Sequence, residues 1–397
     1  MIRHLFTLIW NRKRSNFLLI AEIVLSFFVV FVVGSLLLYN LNNYSQPLGY
    51  NYENVWEVSL EPGPDTVARR EKIDLLSQRI KALPGVVGIT RSSVNTPFAF
   101  STMTTELEYK GKETPSSDRY RVDDNFAKLM EVKVLEGRWF NQSDNAAQRV
   151  PIIINQAFKD AVFPNETAVG KIVAEKNSTR KWQGQVVGVV ESFRAGSDFA
   201  ENSPAFFERR MDDTTRMAGY DLPWLLIKVK PGQGAILEQK MVKEVLNVTK
   251  NWSVKTNTLE QNRISKLKVV LTPIVVLGIV CVFLILNVAL GLFGVLWYNI
   301  SQRRSEIGLR RALGATGMGI GAQFIGEMLV VTTLGVLVGV VLAVQFPLLG
   351  VFGVAPTVYG TAIAAAALLI YLLTAICAFH PSRLAAGIQP AVALREE

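Results

Sequence analysis

The chain alternates between two textures. Four stretches are apolar almost throughout: 17–39 (FLLIAEIVLSFFVVFVVGSLLLY), about 269–298, about 318–346 and about 357–379. Each can cross roughly 30 Å of hydrocarbon at about 1.5 Å per helical residue, so the pattern predicts four membrane helices. A signal peptide would have an apolar core of only about 7–15 residues and a small-residue cleavage site. The first stretch is longer and continues as LLLYNLNNYSQP, which offers no A-x-A. It therefore predicts an uncleaved span. The last two stretches are separated by PLLGVFGVAP, 347–356, a tight Gly/Pro turn.

Between the first two spans, residues 40–268 read as an ordinary globular insert. NVWEVSL alternates like a strand, and Ile73, Leu76, Ile80 and Leu83 then share one helical face that ends at Pro84-Gly85. Strands follow at VVGIT, TTELEYKGK and RYRV, and an Asp123 or Asp124 cap opens a short helix in DDNFAKLMEV. VPIIINQAFKDAVFPN runs from strand to helix. QVVGVVESF and LPWLLIKVK are further strands, 234–249 a helix and WSVKTNTL a last strand. This order predicts two α/β lobes, 54–122 and 183–258, around an insertion at 123–182. A polar helical stalk, 259–268, leads into the second span. The fold class is thus an α-helical membrane protein with four transmembrane helices. Its large α+β extracytoplasmic domain is inserted between helices 1 and 2.

Charge sets the orientation. Arg3, Arg12, Lys13 and Arg14 precede the first span; Arg303, Arg304, Arg310 and Arg311 lie between the second and third; Arg383 and Arg395 follow the fourth. The 347–356 turn has none. Positive charge favours the cytoplasmic side, so an N-terminal helix (1–16), the 299–317 segment and the tail (380–397) are expected inside. The 40–268 domain is expected outside. The net charge of +9 is then mostly membrane topology and calls for no nucleic-acid partner.

Several chemistries are excluded. The only histidines, His4 and His380, lie far apart in sequence, so no His-based triad or zinc set can form in the insert. No G-x-x-x-x-G-K-[ST] occurs, so these residues hold no P-loop. Cys281 and Cys377 both fall inside spans, which leaves the insert without disulfides. No metal site or catalytic residue is predicted. Two acids, Glu22 and Glu327, fall within spans. Such a group costs a few kcal/mol unless it meets a partner or a cavity. Pairing with nearby arginines and a role in coupling are both open readings. Gly335 and Gly339 form a G-x-x-x-G suited to close helix packing.

The segment RRSEIGLRRALGAT, 303–316, is more than an orienting loop. Glu306 and Arg310 stand at i and i+4. Ile307, Leu309 and Leu313 give it apolar contacts, and Gly314 is placed to end a helix. It resembles the segment joining the second and third helices of the MacB/FtsX-type ABC-transporter permeases, NxxLGxFGVL…RRxEIGxRRALGAT. Here that pattern is carried by Asn287, Gly291, Gly294, Arg303, Arg304, Glu306, Ile307, Gly308, Arg310, Arg311, Ala312, Leu313 and Gly314. Gln323, Phe324, Glu327, Gly335 and Gly339 match the third helix, and Pro381, Ala385, Pro390, Ala393, Leu394 and Arg395 the family's ending. RVDDNFAKLMEVKVLEGRWF, VPIIINQAFKDAVFP, AVGK and VVGVVESF match in the insert.

The resemblance implies a bacterial inner-membrane subunit, paired with a second permease, identical or homologous, and with two copies of a cytoplasmic ABC ATPase. That ATPase would hold ATP and Mg and come from another chain, and this chain would bind no cofactor and hydrolyse no ATP. Arg303, Arg304, Glu306, Ile307, Leu309, Arg310, Arg311 and Leu313 would form a coupling helix on the ATPase. Asn287 and Gln323 would join Glu22 and Glu327 as intramembrane polar groups, and Gly291 and Gly294 would join Gly335 and Gly339 in helix packing. Closure of the ATPase would be passed to the outer domain, a mechanism called mechanotransmission. The outer domain's size favours export, with a periplasmic adaptor and outer-membrane channel as partners. An FtsX-like subunit regulating a cell-wall hydrolase is the alternative. The topology is tested with cysteines introduced at Ser178 and Ser301. They are expected to react with impermeant reagents from opposite faces of the membrane, and reaction of both from one face would refute the orientation.

Overall fold

The computed structural model describes residues 13–65, 67–92, 95–175, 182–209 and 224–387. Residues 1–12 of the expected N-terminal helix, the Ser178 site and the closing motif from 388 onward lie outside them. In chain order the elements are α1 (Lys13–Tyr44), β1 (Val55–Glu61), α2 (Arg69–Lys81), β2 (Val86–Ser92), β3 (Thr104–Thr105), β4 (Leu107–Tyr109), β5 (Lys112–Glu113), β6 (Ser117–Val122), α3 (Phe126–Met130), β7 (Val134–Gly137), β8 (Val150–Asn155), α4 (Gln156–Val162), β9 (Ile172–Glu175), β10 (Gln183–Val190), β11 (Ala205–Arg209), β12 (Trp224–Val229), α5 (Ala235–Thr249), β13 (Ser253–Thr258), α6 (Leu259–Gln302), α7 (Arg304–Ala312), α8 (Gly317–Ala343), α9 (Gln345–Leu348) and α10 (Pro356–Ala386). They form two compact units, an inserted domain of Asn43–Val270 and a membrane unit made from the remaining residues.

The inserted domain is built on one mixed sheet, ordered β13-β1-β12-β2-β6-β11-β8-β10-β9-β4-β5, with β3 on β6 and β7 on β10. The pairs β6/β11 and β8/β10 are parallel. Successive side chains of a strand point to opposite faces, and this divides the interior. On one face, Val58, Leu60, Leu225 and Ile227 pack against α2 and α5, while Ile152, Ile154, Val189 and Phe206 pack with Phe158 of α4. The residues between them (Val55, Ile153, Val190, Phe207 and Leu226) enter a single aromatic core on the other face, with Tyr120, Phe126 and Phe193. Buried on both faces, β8 reads as a near-continuous apolar run rather than an alternating one, while β11 is buried throughout although it ends in Glu208 and Arg209.

The lobes are divided differently from the sequence-based expectation. β10 and β11 pair with β8 and β6, so residues 183–209 belong with the middle of the insert, and 224–258 joins 55–92. Parallel pairing is non-local, and strand patterns do not name the partner strand. Among the described residues, the two halves of the sheet meet at β2 and β6 through one paired residue on each, Ser92 and Val122. The Asp123 side chain extends that seam, accepting hydrogen bonds from the Thr90 hydroxyl and from the Arg91 amide at 3.0 Å. Neither acid is the cap of α3. That position is Asn125, whose amide donates to Asp123 Oδ1 at 3.0 Å, while Asp124 is held bidentately by Arg209 at 2.6 and 2.7 Å.

Among the described residues four helices, α1, α6, α8 and α10, are long and apolar enough to span a membrane. The α6 helix runs unbroken from Leu259 to Gln302 with Pro273 inside it. Small residues let α1 approach: a β-carbon at Gly335 would come within 2.6 Å of Ile23, and one at Gly339 within 2.4 Å of the Phe27 ring. α8 and α10 are joined by hydrogen bonds of 3.0 Å between Thr332 and Thr374 and 2.9 Å from Tyr371 to Thr333. These satisfy hydroxyls that lipid cannot.

Asp65 gives the inserted domain an acid-sensitive contact. Its carboxylate accepts from Lys72 Nζ at 2.7 Å, Trp252 Nε1 at 2.8 Å and the Val67 amide at 3.1 Å. The Lys72 contact foremost, then Trp252, hold its pKa at about 2, below the ordinary 3.8. A folded pKa below the unfolded one stabilises above the unfolded value, and that stabilisation is lost as pH falls through the folded value. Asp65→Asn is expected to lower the domain's melting temperature modestly at pH 7 and to flatten its loss between about pH 4 and 2. Tryptophan fluorescence melts of the full chain read this, and identical acid limbs for the two proteins would refute it.

Candidate coupling site on the membrane unit

The α7 helix ends as RALGAT dictates. The Gly314 amide donates to the Arg311 carbonyl at 3.1 Å and the Ala315 amide to the Arg310 carbonyl at 2.9 Å. Gly314 has φ +96°. This is the paired closure in which a residue without Cβ takes the left-handed turn. Thr316 then caps α8, its hydroxyl accepting from the Gly319 amide at 3.2 Å.

An ion pair fixes the other end of α7. Arg303 Nη1 lies 3.3 Å from Glu327 Oε1 on α8, and both side chains are largely buried. Gln323 Nε2 donates to the same carboxylate at 3.1 Å, and Gln323 Oε1 accepts from Arg310 Nη1 at 2.9 Å. Arg310 in turn pairs with Glu306 along α7. Five of the expected site residues, Arg303, Glu306, Arg310, Gln323 and Glu327, are thus gathered into one network. Glu327 has a counter-charge, which answers how an acid is tolerated there. The link through Gln323 is not readable from sequence, because it depends on where α7 lies against α8.

Ile307 is not where a docking residue would be. It is 3 % exposed and packs in the core of the membrane unit. Leu309 and Leu313 are 52 % and 80 % exposed. The helix explains the difference: Ile307 is one turn from Arg303 and shares its inward face, whereas residues two apart do not face each other. Leu309 and Leu313, four apart, share another face. Arg304 is exposed and Arg311 half-buried.

The remaining polar and glycine positions separate. Gly291 lies against Glu22, where a β-carbon would come within 2.7 Å of the carboxylate. Gly294 has open space around it among the described residues, so it makes no close packing contact there. Asn287 donates back to the Phe283 carbonyl of its own helix at 2.8 Å.

With this geometry in hand, comparison with known proteins finds two matching family models. The FtsX-like permease C-terminal model covers residues 278–390. The MacB-like periplasmic core domain model covers residues 17–240, more than half the chain. The chain belongs to the MacB/FtsX-type ABC-transporter permeases. Among relatives of this family, the macrolide export ATP-binding/permease protein MacB of Bartonella quintana is 24 % identical over 347 residues, covering 85 % of this chain and 50 % of that protein. The protein of the same name from Pasteurella multocida is 25 % identical over 367 residues, covering 88 % and 52 %. The chain therefore spans about half the length of these curated relatives. The crystal structure of the periplasmic region of MacB from Actinobacillus actinomycetemcomitans aligns at 14 % identity and TM-score 0.39, covering 53 % of this chain and 90 % of that one. Four apolar helices with a MacB-like periplasmic domain between the first two fit a multi-pass inner-membrane permease.

The Arg303–Glu327 pair makes a quantitative prediction for this permease. Removing one partner leaves a poorly solvated charge, whereas removing both does not. Glu327→Leu and Arg303→Met are each expected to destabilise the membrane unit. The double variant should recover part of the loss, with a coupling energy of about 1–3 kcal/mol. Thermal unfolding in micelles measures the cycle, and strictly additive effects would show that the pair contributes nothing.

Proposed function

We propose that the chain is the membrane subunit of an ATP-driven export machine, in which α7 receives the movement of an ABC ATPase and the inserted domain acts on the cargo. One observation carries this reading. α7 is an anchored helix, tied to α8 through Arg303 and Glu327, that turns two large leucines away from its own core. A helix that only oriented the chain would need its arginines but neither the anchor nor the exposed leucines. The arginine asymmetry supports a cytoplasmic α7, on the side where ATP and Mg would be bound by the ATPase. The relatives named for macrolide export support export as the task, and a second permease, an adaptor and an outer-membrane channel would complete the assembly.

The docking face assigned here is Leu309 and Leu313, in place of Ile307. Burying one leucine is worth about 1.5–3 kcal/mol, or roughly tenfold or more in affinity. Leu309→Asp and Leu313→Asp are each expected to cut recovery of the ABC ATPase with the tagged permease from native membranes by at least about tenfold. Their own melting should be nearly unchanged. Ile307→Asp should instead lower melting of the permease itself, because it buries a charge in the membrane unit's core. Undiminished ATPase recovery with both leucine variants, or no ABC ATPase with the wild type, would refute the reading.

A further inference from the structure

Arg194 lies in the loop after β10 and donates to five backbone carbonyls. It is 2 % exposed. Its guanidinium donates to the carbonyls of Asn43 at 2.7 Å, Gln46 at 2.6 Å, Pro47 at 3.4 Å, Asp198 at 2.8 Å and Ala200 at 2.6 Å. Asn43 lies in the last turn of α1, whose terminal carbonyls have no partner within the helix and carry its negative dipole end. Arg194 thus caps α1 from a loop about 150 residues away in sequence.

The same loop, 192–203, holds the start of α6. Asp198 receives Arg263 at 2.8, 2.9 and 3.0 Å, and the Arg263 guanidinium lies 5.0 Å from the Tyr52 ring centre. Two contacts double the grip on α1: Asn43 Nδ2 donates to the Phe199 carbonyl at 3.1 Å, and the Tyr44 and Phe199 rings stand 5.5 Å apart. The loop is itself tied to the aromatic core. Phe193 packs there, and the Phe98 amide donates to the Ala195 carbonyl at 2.6 Å. Gly49, at φ +86°, lets the chain leaving α1 pass so close that a β-carbon would meet the Ser192 carbonyl oxygen at 2.1 Å.

We infer that loop 192–203 is the joint through which movement enters the inserted domain. Arg194 fixes the end of α1, Asp198 fixes the start of α6, and the loop hands both to the aromatic core. This rests on the coupling role proposed above. Arg194 and Asp198 act in this joint as positioning residues. A polar clasp suits this role, because fixed donors and acceptors resist a helix sliding or turning more than an apolar contact does.

The test uses the full permease with its ATPase in nanodiscs. Cys281 and Cys377 are replaced, and spin labels are placed at Leu41 on α1 and Ala161 on α4. Without nucleotide, the wild type is expected to give one narrow distance distribution, and Arg194→Gln a broad one. With ATP the wild type shifts, and Arg194→Gln loses the shift while keeping ATPase binding. An unbroadened Arg194→Gln distribution, or one that broadens but keeps the full ATP shift, would overturn the inference. A wild type with bound ATPase and no ATP shift would instead overturn the coupling role, and the joint with it. Should Arg194→Gln fail to fold, Asp198→Lys should broaden the distance between Ala161 and a label at Ser265 on α6, leaving the Leu41 distance narrow, and adding Arg263→Glu should narrow it again. Absence of either effect would equally count against the joint.

Discussion

A carboxylate inside an apolar helix costs a few kcal/mol unless it meets a partner or a cavity, and the site on this permease is organised by that requirement. Glu327 on α8 is met by Arg303, the residue that opens α7. Once that pair forms, the rotation of α7 is set. Ile307, one turn on, must point inward, and Leu309 and Leu313 must point away. Gln323 extends the constraint to Arg310, so both ends of the short helix are held to α8. A nine-residue helix is marginal in isolation. Its stability here comes from these ties and from the glycine closure at Gly314.

The inserted domain meets the same problem, unpaired polar groups at chain ends, with a different solution. In the last turn of α1 the Asn43 carbonyl is met by Arg194 from loop 192–203, and the same side chain takes the Gln46 carbonyl just beyond the helix. The two halves of the domain's sheet meet at the seam of β2 and β6, where the described residues pair only Ser92 with Val122. The aromatic core behind it draws residues from both halves of the sheet, Val55 and Leu226 from one and Ile153 and Phe207 from the other. Two lobes that would otherwise hinge are thereby packed as one body. A domain asked to move as a unit needs such a shared core more than it needs a longer ladder.

Sequence alone determined the four spans, the position of the insert, the glycine end of α7 and the family. Each rests on local information: the length of an apolar run, a period of side chains, a residue without Cβ, or a motif of fixed spacing. It also determined that Gly335 and Gly339 suit a close neighbour, without naming Ile23 and Phe27 as that neighbour. Tertiary structure alone decided the rest. β10 and β11 left their expected lobe because parallel partners lie far apart in the chain. Asp123 and Asp124 left the helix cap because Thr90, Arg91 and Arg209 compete for them. Of two positions inside the family motif, Gly294 has open space where a β-carbon would stand and Asn287 hydrogen-bonds back into its own helix. The facing of α7 was half legible, since residues two apart cannot share a helix face, but which face turned inward depended on the Arg303–Glu327 pair. Arg194 was invisible, because its partners are backbone carbonyls, which every residue carries, and only folding shows which of them are left open.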